Sequence, residues 1–102
     1  MTKEDTMYAR ITPYKMKPGS QAAATKVMNA LKDKIMALEG QQSFLNVSND
    51  EDGTGYVIST TENAETAPET AEKIKALWGA FSEFLVEQPT VRSYDIVADW
   101  RA

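Results

Sequence analysis

Neither cysteine nor histidine occurs among these 102 residues. Without cysteine there is no disulfide framework, no thiolate nucleophile and no thiolate metal site. Without histidine the chain lacks the commonest metal ligand, the usual haem ligand and the usual general base near neutral pH. Long apolar runs are missing too: nothing approaches the ~18–20 residues of a membrane-spanning helix, and the opening MTKEDT has no apolar signal core. Basic charge is scarce. Eleven Lys and Arg against fifteen Asp and Glu leave a net charge of −4. Such a domain repels phosphate backbones and anionic headgroups, so no nucleic acid and no membrane is expected as a partner, and the expected location is cytoplasmic.

What is present fits one domain over residues 1–102, with an ordered core at about 7–100 and 42% hydrophobic residues to build it. A strand–helix–strand order occurs twice, and the halves meet at Asp50-Glu51-Asp52-Gly53. Residues 7–16 alternate as a strand, with Met7, Ala9, Ile11 and Pro13 on one face and Tyr8, Arg10, Thr12, Tyr14 and Met16 on the other. Lys17-Pro18-Gly19 is turn chemistry and Ser20 an N-cap for a helix over about 21–38, whose stripe is Val27, Leu31, Ile35 and Leu38. Gly40 stops it. A second strand is expected at 43–49, an Asp-Gly hairpin after it, and a β-branched third strand at 54–61. Thr66 and Glu69 fit a capping box that opens a second helix running to about residue 86. Ile74, Leu77, Trp78, Phe81 and Leu85 make its stripe, and Gly79 predicts a kink, a break or a close backbone contact near 78–80. Gln88-Pro89 ends it, and a fourth strand is expected at 91–100. This order predicts an α+β sandwich with two helices on one face of a four-stranded sheet.

The last two strands carry large apolar residues on both faces. Tyr56 and Ile58 oppose Val57, and Tyr94, Ile96 and Trp100 oppose Val91 and Val97. A sheet covered on one side alternates more cleanly. Two helices cover one face, so a second copy is expected on the other. The result would be an eight-stranded barrel-like homodimer, its interior either filled by side chains or holding one small ligand.

The element order resembles the dimeric α+β barrel superfamily. So do the strand containing Tyr8-Ala9-Arg10-Ile11, the Lys17-Pro18-Gly19 turn, the Gly53-Thr54-Gly55-Tyr56 lead into strand three, and the Pro89-Thr90-Val91 step toward Tyr94-Asp95-Ile96. Over about residues 7–100 the chain is most similar to the antibiotic biosynthesis monooxygenase group. The resemblance implies a ferredoxin-like βαββαβ fold with a four-stranded antiparallel sheet and two helices on one face, forming a dimeric α+β barrel. It also implies oxygenation without a metal or flavin cofactor. The haem-degrading branch of this fold uses an Asn on the first strand and a His on the second helix. Both are absent, so haem degradation is excluded.

Arg10 is the leading candidate for chemistry. Its fixed cation would bind a phenolate, enolate or carboxylate, or else pair with an acid at a sheet rim. Tyr8 and Tyr14 share its face and would either bind an aromatic ligand or fill the barrel. The resemblance implies a catalytic Trp78 with an Asn partner, for which Asn46 is the candidate. Trp78 is otherwise a core residue, and Asn46 a local hydrogen-bonding one. No close carboxylate pair or metal-ligand spacing stands out. Three functions stay open: a cofactor-independent monooxygenase acting on a phenolic or polyketide-like aromatic, a non-catalytic ligand-binding or stress-response barrel, and a structural dimer with a filled interior.

Overall fold

The computed structural model describes residues 7–102. Strand β1 (Tyr8–Lys15) lies between β3 (Thr54–Thr61) and β4 (Arg92–Asp95), and β2 (Gln41–Ser48) flanks β3. The sheet order is therefore β2-β3-β1-β4, with every pair antiparallel. Helical segments α1 (Gln21–Ala30), α2 (Lys32–Met36) and α3 (Pro68–Gly79) supply the other layer. None of the helices among the described residues is long and apolar enough to cross a membrane.

The β2–β3 turn also anchors the first helix. Gly53 has φ +79°, and its carbonyl accepts the Met16 N–H at 2.7 Å. A Cβ on Gly53 would collide with the Met16 carbonyl oxygen, so only glycine fits. In the same turn Asp52 Oδ1 accepts both the backbone N–H and the hydroxyl of Thr54, which holds the Asp52 carboxyl below its ordinary range. Asp50 reaches across to accept the Gln21 N–H at 3.0 Å. That bond satisfies one of the orphan donors of α1. Ser20 occupies the N-cap position as expected, but its side chain makes no capping bond.

Several expected boundaries shift. The first helix is two segments, offset at Leu31, whose N–H is shared between the Val27 and Met28 carbonyls at 3.2 and 3.0 Å. Such bifurcation marks a tightened turn, and no glycine or proline in the local sequence announces it. The cap of α3 is Ala67, not Thr66, and no side chain bonds there. Pro68 at the first helical position needs no N–H partner, which removes part of the demand for a capping oxygen. Helix α3 ends at Gly79, within the stretch where a break is expected, and turns carry the chain through Phe84. The continuation to about residue 86 does not form. Strand β4 covers four residues of the expected ten. Among the described residues it pairs with β1 alone, from Tyr8 to Ile11.

The core is thin. Tyr14, Met16, Ala24 and Phe81 form its buried centre, with Val57, Trp78 and Leu85 packed against it. Among the described residues no large side chain is fully buried, and no helix covers the opposite face of the sheet. Register puts Ile11, Ile58 and Leu45 across from one another on that face, with Pro13, Tyr56 and Val47 as the adjoining row. Leu45 is 56% exposed, Tyr56 50% and Tyr94 48%.

Two glycines separate backbone demand from helix propensity. Gly53→Ala should destabilise the fold by more than about 1 kcal/mol, because the positive φ and the Met16 carbonyl both oppose a Cβ. Gly79→Ala meets nothing within 4 Å and should raise stability by up to about 1 kcal/mol. Urea unfolding of the two variants beside the parent protein checks both signs.

Candidate functional site

Alternation along β1 sends Arg10, Thr12, Tyr14 and Met16 to the helical side of the sheet. There they line a cavity with Phe44 and Asn46 of β2, Val57 and Ser59 of β3, Met28 of α1, and Leu77 and Trp78 of α3. The sequence pattern points to a ligand space between two facing sheets. The structure instead puts the space that Arg10 borders between the sheet and helices of a single chain, because the Arg10 face is the one the helices cover.

The open volume is about 70 Å³. An apolar cavity of roughly 150 Å³ takes up a benzene ring, so a ring enters here only if the walls move. Leu38 and Leu77 form part of the wall on the side of the helices. Both also line an outer groove between α2 and α3, flanked by Lys34 and Lys73.

Arg10 is the electrostatic centre. It is 8% exposed, yet the single ion pair among the described residues is the exposed contact of Arg101 with Asp99. The Arg10 guanidinium makes one side-chain hydrogen bond among those residues, Nη2 donating to Gln41 Oε1 at 2.8 Å. Glu39 and Glu65 share with it a neighbouring polar opening, but neither comes within ion-pair distance. Burial without a counter-charge lowers the Arg10 pKa from its ordinary value. A cation so placed attracts an anion more strongly than a solvated one does, since the surrounding medium screens it less.

Tyr14 is the second polar group. Its hydroxyl donates to Asn46 Oδ1 at 2.6 Å, and Asn46 Nδ2 points at the Met28 sulfur at 3.2 Å. Burial pushes the Tyr14 pKa up, so the phenol stays protonated well past neutral pH. Its ring lies 5.6 Å from that of Trp78, and Trp78 lies 6.1 Å from Phe81, both in tilted or edge-on contact.

Four of the five candidate residues thus come together: Arg10, Tyr14, Asn46 and Trp78. Asn46 borders the cavity and accepts from Tyr14 across the sheet. Tyr8 is not among the lining residues. It lies half-buried where β1 meets Thr61 and Asp95. Sequence reasoning missed Gln41, Ser59 and Thr12. Thr12 was legible from the alternation of strand one. Gln41 was not, because it precedes the expected start of strand two. Among the described residues no three acidic side chains cluster so as to hold a metal ion.

No protein-family sequence model and no curated protein matches this chain. Solved structures do match. A candidate antibiotic biosynthesis monooxygenase from Bordetella bronchiseptica aligns with TM-score 0.77 and 13% identity over 91% of this chain and 99% of its own. The ActVA-Orf6 monooxygenase of Streptomyces coelicolor, solved with nanaomycin D, aligns with TM-score 0.69 and 12% identity over 99% of both chains. A candidate antibiotic biosynthesis monooxygenase from Caulobacter crescentus reaches 21% identity, with TM-score 0.64 over 91% of this chain and 92% of its own. This chain has their ferredoxin-like fold. Its βαββαβ order and four-stranded antiparallel sheet are those of the antibiotic biosynthesis monooxygenase-like structures, and identities this low carry the fold alone.

The Tyr14 shift has a consequence for stability. Its folded pKa lies above the ordinary 10.0, so its contribution is complete below pH 10.0 and is lost as pH rises through the folded value. Tyr14→Phe should flatten the alkaline fall of the stability curve. Urea unfolding of both proteins from neutral pH to about pH 11 isolates that difference.

Proposed function

We propose that this chain is a cofactor-independent monooxygenase for a phenolic or polyketide-like aromatic held between the sheet and the helices. The observation that carries the reading is the buried guanidinium of Arg10, without an ion-pair partner among the described residues, on the wall of an otherwise largely apolar cavity. A structure of the same fold that is a monooxygenase holding nanaomycin D supports a small-molecule site in this architecture.

In the proposed reaction the aromatic ionises and Arg10 stabilises the oxyanion that carries the charge. Tyr14, kept protonated by burial, is a hydrogen-bonding partner to a substrate oxygen and not the base. Trp78 and Phe81 supply apolar walls that exclude water. The electron-rich anion then reduces O₂ directly. At a ring methylene the balance is CH₂ + O₂ → C=O + H₂O: one oxygen atom enters the substrate and the other leaves as water with the two hydrogens. No metal or flavin is required by that balance.

One observation favours the second reading, a binding module without turnover: among the described residues no carboxylate lines the cavity. The small open volume favours the third, a filled interior. Oxygen uptake with a panel of anthrones and hydroquinones separates the first from the others. The expected result is protein-dependent uptake that falls roughly 100-fold or more in kcat/KM in Arg10→Ala, the scale seen when one donor to a developing oxyanion is removed. Uptake unchanged in that variant overturns the role of Arg10. Ligand-induced stabilisation without uptake supports the binding module.

The proposal includes a homodimer. The helix-free face exposes Leu45, Val47, Tyr56 and Tyr94 together, which is more contiguous apolar surface than scattered single residues present. A second copy covering this face gives the eight-stranded barrel. The double substitution Leu45→Glu and Tyr56→Glu should convert the dimer to a folded monomer, read by light scattering after gel filtration. An unaltered mass would place the interface elsewhere.

A further inference from the structure

Gln41 reaches Arg10 because β2 is bulged. Counting back from Phe44, which lines the cavity, strict alternation would put Gln42 on the cavity side and Gln41 on the helix-free face. The register instead pairs Ser43 with Thr60 and Gln41 with Thr61, leaving Gln42 as the extra residue. Thr61 is two residues beyond Ser59 and shares its face, so the bulge turns Gln41 toward Arg10. Gln42, turned away, meets Glu62 instead.

Both ends of the Gln41 amide are used. Oε1 accepts from Arg10 Nη2 at 2.8 Å, and Nε2 donates to Ser59 Oγ at 3.2 Å. Glutamate has the same size and would accept from both neighbours. Its carboxylate would also neutralise the guanidinium. An amide holds Arg10 in place and leaves its charge available. Among the described residues, the other charged groups that share the polar opening with Arg10, Glu39 and Glu65, stand beyond pairing distance, and Tyr14 is protonated.

Resting on the oxyanion-binding reading of Arg10, we infer that Gln41 is a positioning residue that sets the charge selectivity of the cavity, reserving Arg10 for an aromatic ligand bearing one ionised oxygen. A neutral ring of the same size gains nothing from the unpaired cation.

The test uses 4-nitrophenol, whose phenolate form is coloured, and 4-nitroanisole, which cannot ionise. Bound to the parent protein, 4-nitrophenol should ionise about one pH unit lower than when free, which is a roughly tenfold preference for the phenolate. In Gln41→Glu that shift should vanish, and the affinity ratio of phenolate to 4-nitroanisole should fall about tenfold. Gln41→Met adds no charge and should keep the acidifying shift with weaker phenolate binding, which separates charge from packing. A Gln41→Glu protein that retains the full shift, or that loses both ligands equally, overturns the role of Gln41. Loss of the shift in Arg10→Met but not in Gln41→Glu overturns Gln41 alone. A parent protein that does not acidify the probe, or an Arg10→Met protein that acidifies it fully, overturns the Arg10 reading as well.

Discussion

Strand β1 is the constraint on which the rest is built. It is an inner strand, held along its whole length by β3 and at its first half by β4. Its period of two cannot slip without moving every side chain to the other face. That lock sends Arg10, Thr12, Tyr14 and Met16 under the helices and leaves Ile11 and Pro13 on the bare face. Cavity and bare sheet are thus two consequences of one alternation. The Met16 amide, just past the strand, ties it to the Gly53 turn, and the Lys15 carbonyl accepts from Val86, so the chain after α3 is fixed to the same strand.

The electrostatics follow from what surrounds that strand. The cavity wall is polar at only a few places: the Arg10 guanidinium, the Thr12 hydroxyl, the Tyr14–Asn46 pair, and the Gln41–Ser59 pair. None of these brings a negative charge. Burying a cation without a counter-ion costs stability. Leu38 and Leu77 stand between the cavity and the lysine-flanked groove outside.

Much of this was legible beforehand. The third strand is read without error because Val57, Ile58, Thr60 and Thr61 are β-branched and a glycine turn precedes them. The break at Gly79 has a local cause and was legible for that reason. The offset at Leu31 and the early end of β4 have none. Leu31 is a good helix former, and the residues after Asp95 have strand-like composition, but Val97 and Trp100 are 94% and 92% exposed. The candidate site was partly legible for a related reason. Arg10, Tyr14, Asn46 and Trp78 could be selected by residue type and by the face of their element, whereas Gln41 depends on a bulge, and a bulge is a property of two paired strands.

The order of elements, the turn at Gly53, the sign of the net charge, and the absence of thiol and imidazole chemistry could all be read from the residues alone, because each is a matter of local conformation or of composition. Three outcomes could not: which face of β1 the helices cover, that the cavity bordered by Arg10 lies inside one chain, and that Gln41 is the partner of Arg10. They depend on register and layer packing between segments distant in the chain: Arg10 and Gln41 are 31 residues apart, and Tyr8 pairs with Asp95 near the other end. Local propensity has no reach over such distances.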